Sequence, residues 1–254
     1  MQYISFSSGS SGNCALVRTG SAALLVDAGL SMRRTKGFLA ALGLSMEDLS
    51  GILITHEHSD HVGGLQMLTK YYRLPVYASG GTARALLRSG RCPEDCLHPL
   101  AAGEALALGG LRVRGFDTPH DAAEPFGYRL EDGGGALAVL TDLGCLTRQV
   151  LLGAAGCRAA VVEANHDEAM LKCGPYPYSL KQRILGNRGH LSNETGAELA
   201  YRLAEAGAGE ILLAHLSREN NTPSLALAAA RRRLGPEIRL SVAPREEPSH
   251  EITL

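Results

Sequence analysis

The segment THEHSDH, residues 55–61, places His56, His58, Asp60 and His61 within six positions, directly after the apolar run GILI. Imidazole and carboxylate groups are preferred ligands of zinc, manganese and iron. If the chain leaves the apolar run still extended, His56, His58 and Asp60 project to one side and His61 to the other. The segment then offers two histidines to one ion and an Asp-His pair to a second. Asp60 alone could cap a helix that starts near His61, but three histidines at this spacing exceed what a cap requires.

A two-ion site needs further ligands, and three residues stand in similar positions. His120 in DTPHDA, Asp142 in LTDLG and His215 in LLAHLS each end an apolar strand pattern. Taken singly they read as polar or turn residues. Jointly with THEHSDH they read as ligands projecting into one cleft from several strand ends.

The elements that must position them follow from hydrophobic periodicity. Short β-rich runs such as AALLVDAG, GILITH, PVYAS, LRVRGFDTPH, FGYRLE and ALAVLTD fill much of the first half, with Gly, Asp and Pro between them. SMRRTKGFLAALG reads as a helix capped at Ser31 and ending near Gly43, and GTARALLRSG as another. The second half reads as strands RAAVVEANHD, EILLAHLS and EIRLSVAP, with helices NETGAELAYRLAEAG, capped by Ser192 or Asn193, and PSLALAAARRRLG. The closing REEPSHEITL is open between a frayed end and an edge strand. With no linker, charge block or short repeat, residues 1–254 are expected to form a single domain of two sheets with outer helices.

Composition narrows the function classes. The chain has 254 residues, 45% of them hydrophobic, with 25 basic and 26 acidic residues and a net charge of -1. That balance gives no global attraction to nucleic acid or membrane, so an anionic partner must be held locally. No secretory pattern opens the sequence and no segment has bilayer-spanning length, so a soluble, cytoplasmic protein is expected. Its six cysteines are expected to be reduced thiols, with the CPEDC pair a turn rather than a zinc site.

THEHSDH, with VDAG before it and His120, Asp142 and His215 after it, resembles the metallo-β-lactamase superfamily. The resemblance implies an α/β four-layer αβ/βα sandwich of two mixed sheets with outer helices. It implies His56, His58 and His120 at one metal, Asp60, His61 and His215 at the other, and Asp142 bridging. The stretches SSGSSGNC, LVDAGLS, VVEANHDEAML, GPYPYSLKQRILGNRGHLSN and LAHLSRENNTP are in addition similar to the YycJ/WalJ subgroup of bacterial hydrolases. That similarity implies a cytoplasmic metal-dependent nuclease, with DNA degraded from 5′ ends.

Two divalent ions can hold a bridging hydroxide and stabilise a phosphoryl group under attack, with Asp60 orienting the nucleophile. The donor set suits zinc or manganese, with iron also possible. His190, in NRGHLSN before a helix start, is a candidate to contact phosphate or protonate the leaving oxygen. Glu163, Asn165 and His166 are candidates for hydrogen bonds to metal-bound histidines, and Asp27 for holding the turn beneath the metal loop. Lys172, Lys181, Arg183 and Arg188, interleaved with Tyr176 and Tyr178, could track a nucleic-acid backbone and stack a base; solvated surface charge is the plain alternative.

Hydrolysis of a small substrate on the same ions, a cyclic phosphodiester or a glyoxalase-type thioester, is the competing activity. Oxygen chemistry at iron is disfavoured by His58, where relatives of that type carry a carboxylate. A purely structural metal site would not need open coordination positions.

Overall fold

The apolar runs of the sequence are strands covered on both faces. A computed structural model describes residues 1–254, and its strands form two sheets of seven. The first half supplies β1 (Gln2–Ser7), β2 (Cys14–Arg18), β3 (Ala23–Val26), β4 (Gly51–Leu53), β5 (Val76–Ser79) and β6 (Leu97–Leu100), with helices α1 (Met32–Ala41), α2 (Ser59–Val62), α3 (Leu65–Tyr72) and α4 (Gly80–Arg88). The second half supplies β7 (Ala105–Leu108), β8 (Leu111–Asp117), β9 (Phe126–Asp132), β10 (Gly135–Leu140), β11 (Ala159–Glu163), β12 (Glu210–Ala214) and β13 (Arg239–Val242). Its helices are α5 (Arg148–Ala154), α6 (Glu168–Cys173), α7 (Tyr178–Leu185), α8 (Asn193–Glu205) and α9 (Pro223–Arg231). The closing segment adds an edge strand, β14 (Ile252–Thr253), antiparallel to β1.

Each sheet is mixed. Strands β3 to β6 run parallel beside antiparallel β1 and β2, and β10 to β13 run parallel beside antiparallel β7 to β9. Side-chain alternation divides the strands between cores. Leu24 and Val26 of β3 face Leu212 and Ala214 of β12 across the space between the sheets, in a core that also holds Tyr128 and Val139. Leu25 of β3 points outward to Leu39, Leu65 and Leu86 of the first helical layer, and Ile211 and Leu213 of β12 to Val150, Leu199 and Ala226 of the second. Helix layers thus cover both outer faces, which is why these strands read as unbroken apolar runs rather than alternating ones. This is the four-layer αβ/βα arrangement that the resemblance implies.

The expected caps form. Ser31 accepts from the Arg34 amide, and Ser192, rather than Asn193, accepts from the Thr195 amide at the start of α8. Below the THEHSDH loop, the fully buried Tyr128 of the second sheet donates its hydroxyl to the Ile54 carbonyl at 2.7 Å, tying the sheets together at the end of β4.

The loop itself is locked to its neighbours by backbone. The Asn13 amide donates to the Asp60 carbonyl at 2.7 Å, and the Ala28 amide to the His61 carbonyl at 2.7 Å. A Cβ on Gly29 would lie 1.8 Å from that Asp60 oxygen, so only glycine lets the two loops meet. Gly29→Ala is therefore expected to cost at least about 1–3 kcal/mol of stability, the usual scale of overpacking. Gly20→Ala, which meets nothing within 4 Å, serves as the control, and chemical unfolding of both variants checks the difference.

Candidate active site

Strand ends bring the candidates together. Asp27 follows β3, Thr55 and His56 follow β4, His120 follows β8, Asp142 follows β10, Glu163 ends β11 and His215 follows β12. Strands β10 to β12 are parallel neighbours, so their final residues share one edge of the sheet. Asp27, Asp142 and His215 all have positive φ, at 59°, 60° and 57°. Non-glycine residues rarely hold that conformation; here it turns Asp142 and His215 into the cleft and Asp27 onto the loop above it.

Two groups of donor atoms result. His56 Nε2 lies 3.1 Å from His58 Nδ1, which lies 3.3 Å from His120 Nε2. Zinc-nitrogen bonds of about 2.0–2.1 Å in a tetrahedron put neighbouring ligands about 3.3–3.4 Å apart, so the triangle fits such an ion. In the second group, Asp60 Oδ2 lies 3.5 Å from His61 Nε2 and 3.4 Å from His215 Nε2. Asp142 stands between the groups, with Oδ2 3.2 Å from His61 Nε2 and Oδ1 3.8 Å from His120 Nε2. Its Oδ2 is buried without an aligned hydrogen-bond partner, an orphaned acceptor of the kind that a cation satisfies.

The extended geometry expected for THEHSDH holds only as far as His58. The chain then turns into α2, with His58 and not Asp60 at its N-cap. That turn carries Asp60 away from the His56-His58 side and brings His61 to it. His61 accordingly does not face elsewhere but stands between the two groups, its ring centroid 4.1 Å from that of His56.

The outer ring nitrogens are held. His61 Nδ1 is 2.8 Å from Asp27 Oδ2, His120 Nδ1 is 3.0 Å from the Gly189 carbonyl, and His215 Nδ1 is 3.0 Å from Glu163 Oε1. His56 Nδ1 is 3.1 Å from the Thr55 hydroxyl. Each contact leaves Nε2 free to face the cleft, the way metal-binding imidazoles are usually oriented.

This architecture matches known proteins. The family model described as the beta-lactamase superfamily domain matches residues 23–216. The chain belongs to that superfamily. Within it the chain falls in the YycJ/WalJ group: it is 41% identical to exodeoxyribonuclease YycJ of Bacillus anthracis, over 86% of this chain and 83% of that protein. It is 39% identical to exodeoxyribonuclease WalJ of Streptococcus pneumoniae, over 89% of this chain and 85% of that protein. Among solved structures, the metallo-beta-lactamase fold protein YhfI of Bacillus subtilis superposes with a TM-score of 0.76 over 99% of each chain, at 17% identity. The β-lactamase superfamily fold and the histidine-aspartate groups together suit divalent metal ions.

Electrostatics in this β-lactamase superfamily cleft are set by burial against neighbouring charge. Burial lowers the pKa of His56 and His120, leaving both neutral and ready to ligate. Burial acts the same way on His61 and His215, but carboxylates outweigh it. Asp142 and Asp27 raise His61 well above its ordinary value, and Asp142, Asp60 and Glu163 raise His215 to about 10. Asp60 and Asp142, despite burial, are held below the usual carboxylate range by His215 and His61.

The remaining sequence candidates divide. Glu163 is fully buried and accepts from four groups: His190 Nδ1 at 2.8 Å, His215 Nδ1 at 3.0 Å, and the amides of Leu143 at 2.8 Å and Leu191 at 3.0 Å. Its carboxyl is pulled down to about 2, burial being outweighed by His190 and His215. Asn165 donates to the His215 carbonyl at 3.0 Å. Asp27 accepts from the Thr55 amide at 2.8 Å as well as from His61, holding the turn as expected.

His166 departs from expectation. It is buried, and neither ring nitrogen has a partner, because β11 has ended and the chain has begun to turn toward α6. Burial lowers its pKa to about 4. Lys181 and Arg188, candidates for either a nucleic-acid track or plain surface charge, bond to backbone carbonyls, Lys181 to Lys172 at 2.8 Å and Arg188 to His120 at 3.1 Å. Lys172 pairs with Glu168 at 2.7 Å. Only Arg183 of the four basic residues lines the cavity, which has a volume of about 410 Å³.

Asn13 and Asp121 are among the site residues that were not anticipated. Asn13 places Nδ2 3.0 Å from His61 Nε2 and 3.3 Å from Asp60 Oδ2. Asp121 lies 3.4 Å from His120 Nε2 and binds Arg183 through its other oxygen at 2.5 Å. Adjacency to His120 is the available signal for Asp121, whereas Asn13 lies in SSGSSGNC, a stretch singled out only by its similarity to the YycJ/WalJ subgroup.

Metal uptake should accordingly be proton-linked. In the metal-free protein His61 and His215 carry protons at neutral pH, and ligation requires the neutral rings. Apparent affinity for zinc should rise with pH from neutrality toward about 10, where His215 deprotonates. Titration calorimetry near pH 7 in buffers of different ionisation enthalpy checks this: a buffer-dependent heat is expected, and a buffer-independent heat would contradict it.

Proposed function

We propose that this chain is a dinuclear metal-dependent phosphodiesterase, and specifically a DNA exonuclease acting from 5′ ends. In this reading residues 1–254 work as one domain in the cytoplasm, with zinc or manganese, or iron, in the site. His56, His58 and His120 would hold one ion and Asp60, His61 and His215 the other, with Asp142 between the two groups. The exodeoxyribonuclease relatives, matched over most of their length, support the substrate class. Six free cysteines, four of them buried, suit a reducing compartment, and no helix is long and apolar enough to cross a membrane.

The observation that carries the reading beyond metal binding is the Glu163-His190 pair beside the donor groups. Two divalent ions, when bound, supply a nucleophile at neutral pH and positive charge against the phosphoryl oxygens. His190 lines the cavity, with Nδ1 fixed on Glu163 at 2.8 Å. Burial alone would lower its pKa, but Glu163 and Asp142 raise it in the metal-free protein, favouring the imidazolium there. Such an imidazolium can donate to the leaving oxygen of a cleaved phosphodiester. Glu163 orients His190 and His215 together, coupling the proton donor to the metal floor, while Asp60 helps to align the attacking group.

A substrate panel tests the proposal. The metal-loaded protein is expected to degrade 5′-labelled linear DNA with manganese or zinc, whereas cleavage of a thioester without any phosphodiester would overturn it. His190→Ala should lower turnover by about 10²–10⁴-fold, the usual worth of a positioned acid, while leaving metal content intact. Asp142→Ala should lower occupancy of both ions, measured by elemental analysis.

A further inference from the structure

The cavity has one apolar wall. Only Tyr176, Leu180 and Ile184 among its lining residues are hydrophobic, and all three come from one stretch, α7 and the turn before it. Leu180 and Ile184, four residues apart, share one face of α7, and Tyr176 in the turn before it lines the same cavity. Across the cavity stand His58, Asp60, Asp142 and His215, a floor of metal-binding groups. Arg183 lies on the same side as the apolar wall, its guanidinium held by Asp121 at 2.5 Å.

A nucleotide has the same division, with a flat apolar base at one end and a charged phosphate at the other. The cavity's volume of about 410 Å³ falls in the range of about 300–1,000 Å³ typical of small-ligand sites, room for one nucleotide. Tyr176 is half-buried and lines the cavity, whereas Tyr178, two residues on, is 77% exposed and does not.

We propose that α7 and the turn before it form the strand-end subsite: Tyr176 stacks on the base of the terminal nucleotide, and Arg183 takes its phosphate. Arg183 reaches that phosphate by exchanging the Asp121 carboxylate for a phosphate oxygen, so the ion pair holds the guanidinium in place in the free protein. Stacking accepts any base, which makes the subsite indifferent to sequence. The substrate is a single-stranded DNA end, and a blunt duplex must fray before it enters. This inference rests on the nuclease reading.

The test uses the metal-loaded full chain and a 5′-phosphorylated single-stranded oligonucleotide. Tyr176→Ala is expected to raise KM by about 5- to 100-fold, the loss of one stacking contact, while Tyr176→Phe retains the wild-type KM and Tyr178→Ala leaves it unchanged. Arg183→Ala should raise KM and flatten the dependence of log KM on log salt by about 0.7, one phosphate contact on a single strand. A second measurement needs no variant: 2-aminopurine in place of the terminal base should change its fluorescence on binding the wild-type protein. An unchanged KM for Tyr176→Ala in an enzyme that degrades the oligonucleotide, or no fluorescence change on binding, overturns the subsite. Wild-type protein that leaves the oligonucleotide intact yet degrades duplex DNA likewise overturns the subsite, whereas protein that degrades neither counts against the nuclease reading instead.

Discussion

The buried carboxylate of Asp142, set where the two donor groups meet, imposes the condition that its surroundings have to satisfy. A carboxylate removed from water costs several kcal/mol unless opposite charge compensates it. Asp27, Asp60 and Glu163 add three more acidic groups nearby, two of them buried as deeply. In the metal-free protein the compensation comes from protons on His61 and His215. Divalent ions would provide it more fully, with the imidazoles neutral as ligands.

Such a concentration of like groups needs a rigid frame. The parallel strands β10, β11 and β12 deliver Asp142, Glu163 and His215 to one edge from a core packed on both faces. The first sheet delivers Asp27 and the THEHSDH loop, and the contact at Gly29 fixes how far that loop can drift. Glu163 joins His215 of the second donor group to His190 in the cavity, so both imidazoles share one support.

Much of this was legible in the sequence for a physical reason. His120, Asp142 and His215 each end an apolar run, and in a sandwich with both faces of its sheets covered, a polar residue at the end of such a run has only the edge to occupy. Ser31 and Ser192 were legible as caps because capping is local. What depended on distant contacts was not. The helical turn at Ser59, which redirects Asp60 and His61, is set by backbone bonds to Asn13 and Ala28. Asn13 reaches Asp60 across 47 residues, and composition alone offered no hint of that. Basic residues in the stretch before His190 looked alike in one dimension. Only packing separates Arg183, in the cavity, from Lys181 and Arg188, which are spent on backbone carbonyls.

The claim on which the rest depends is that two cations share Asp142. Anomalous diffraction from crystals of the zinc- or manganese-loaded protein tests it most directly. Two peaks are predicted, one among His56, His58 and His120 and one among Asp60, His61 and His215, with the Asp142 carboxylate between them. A single peak, or peaks away from these groups, would contradict the account.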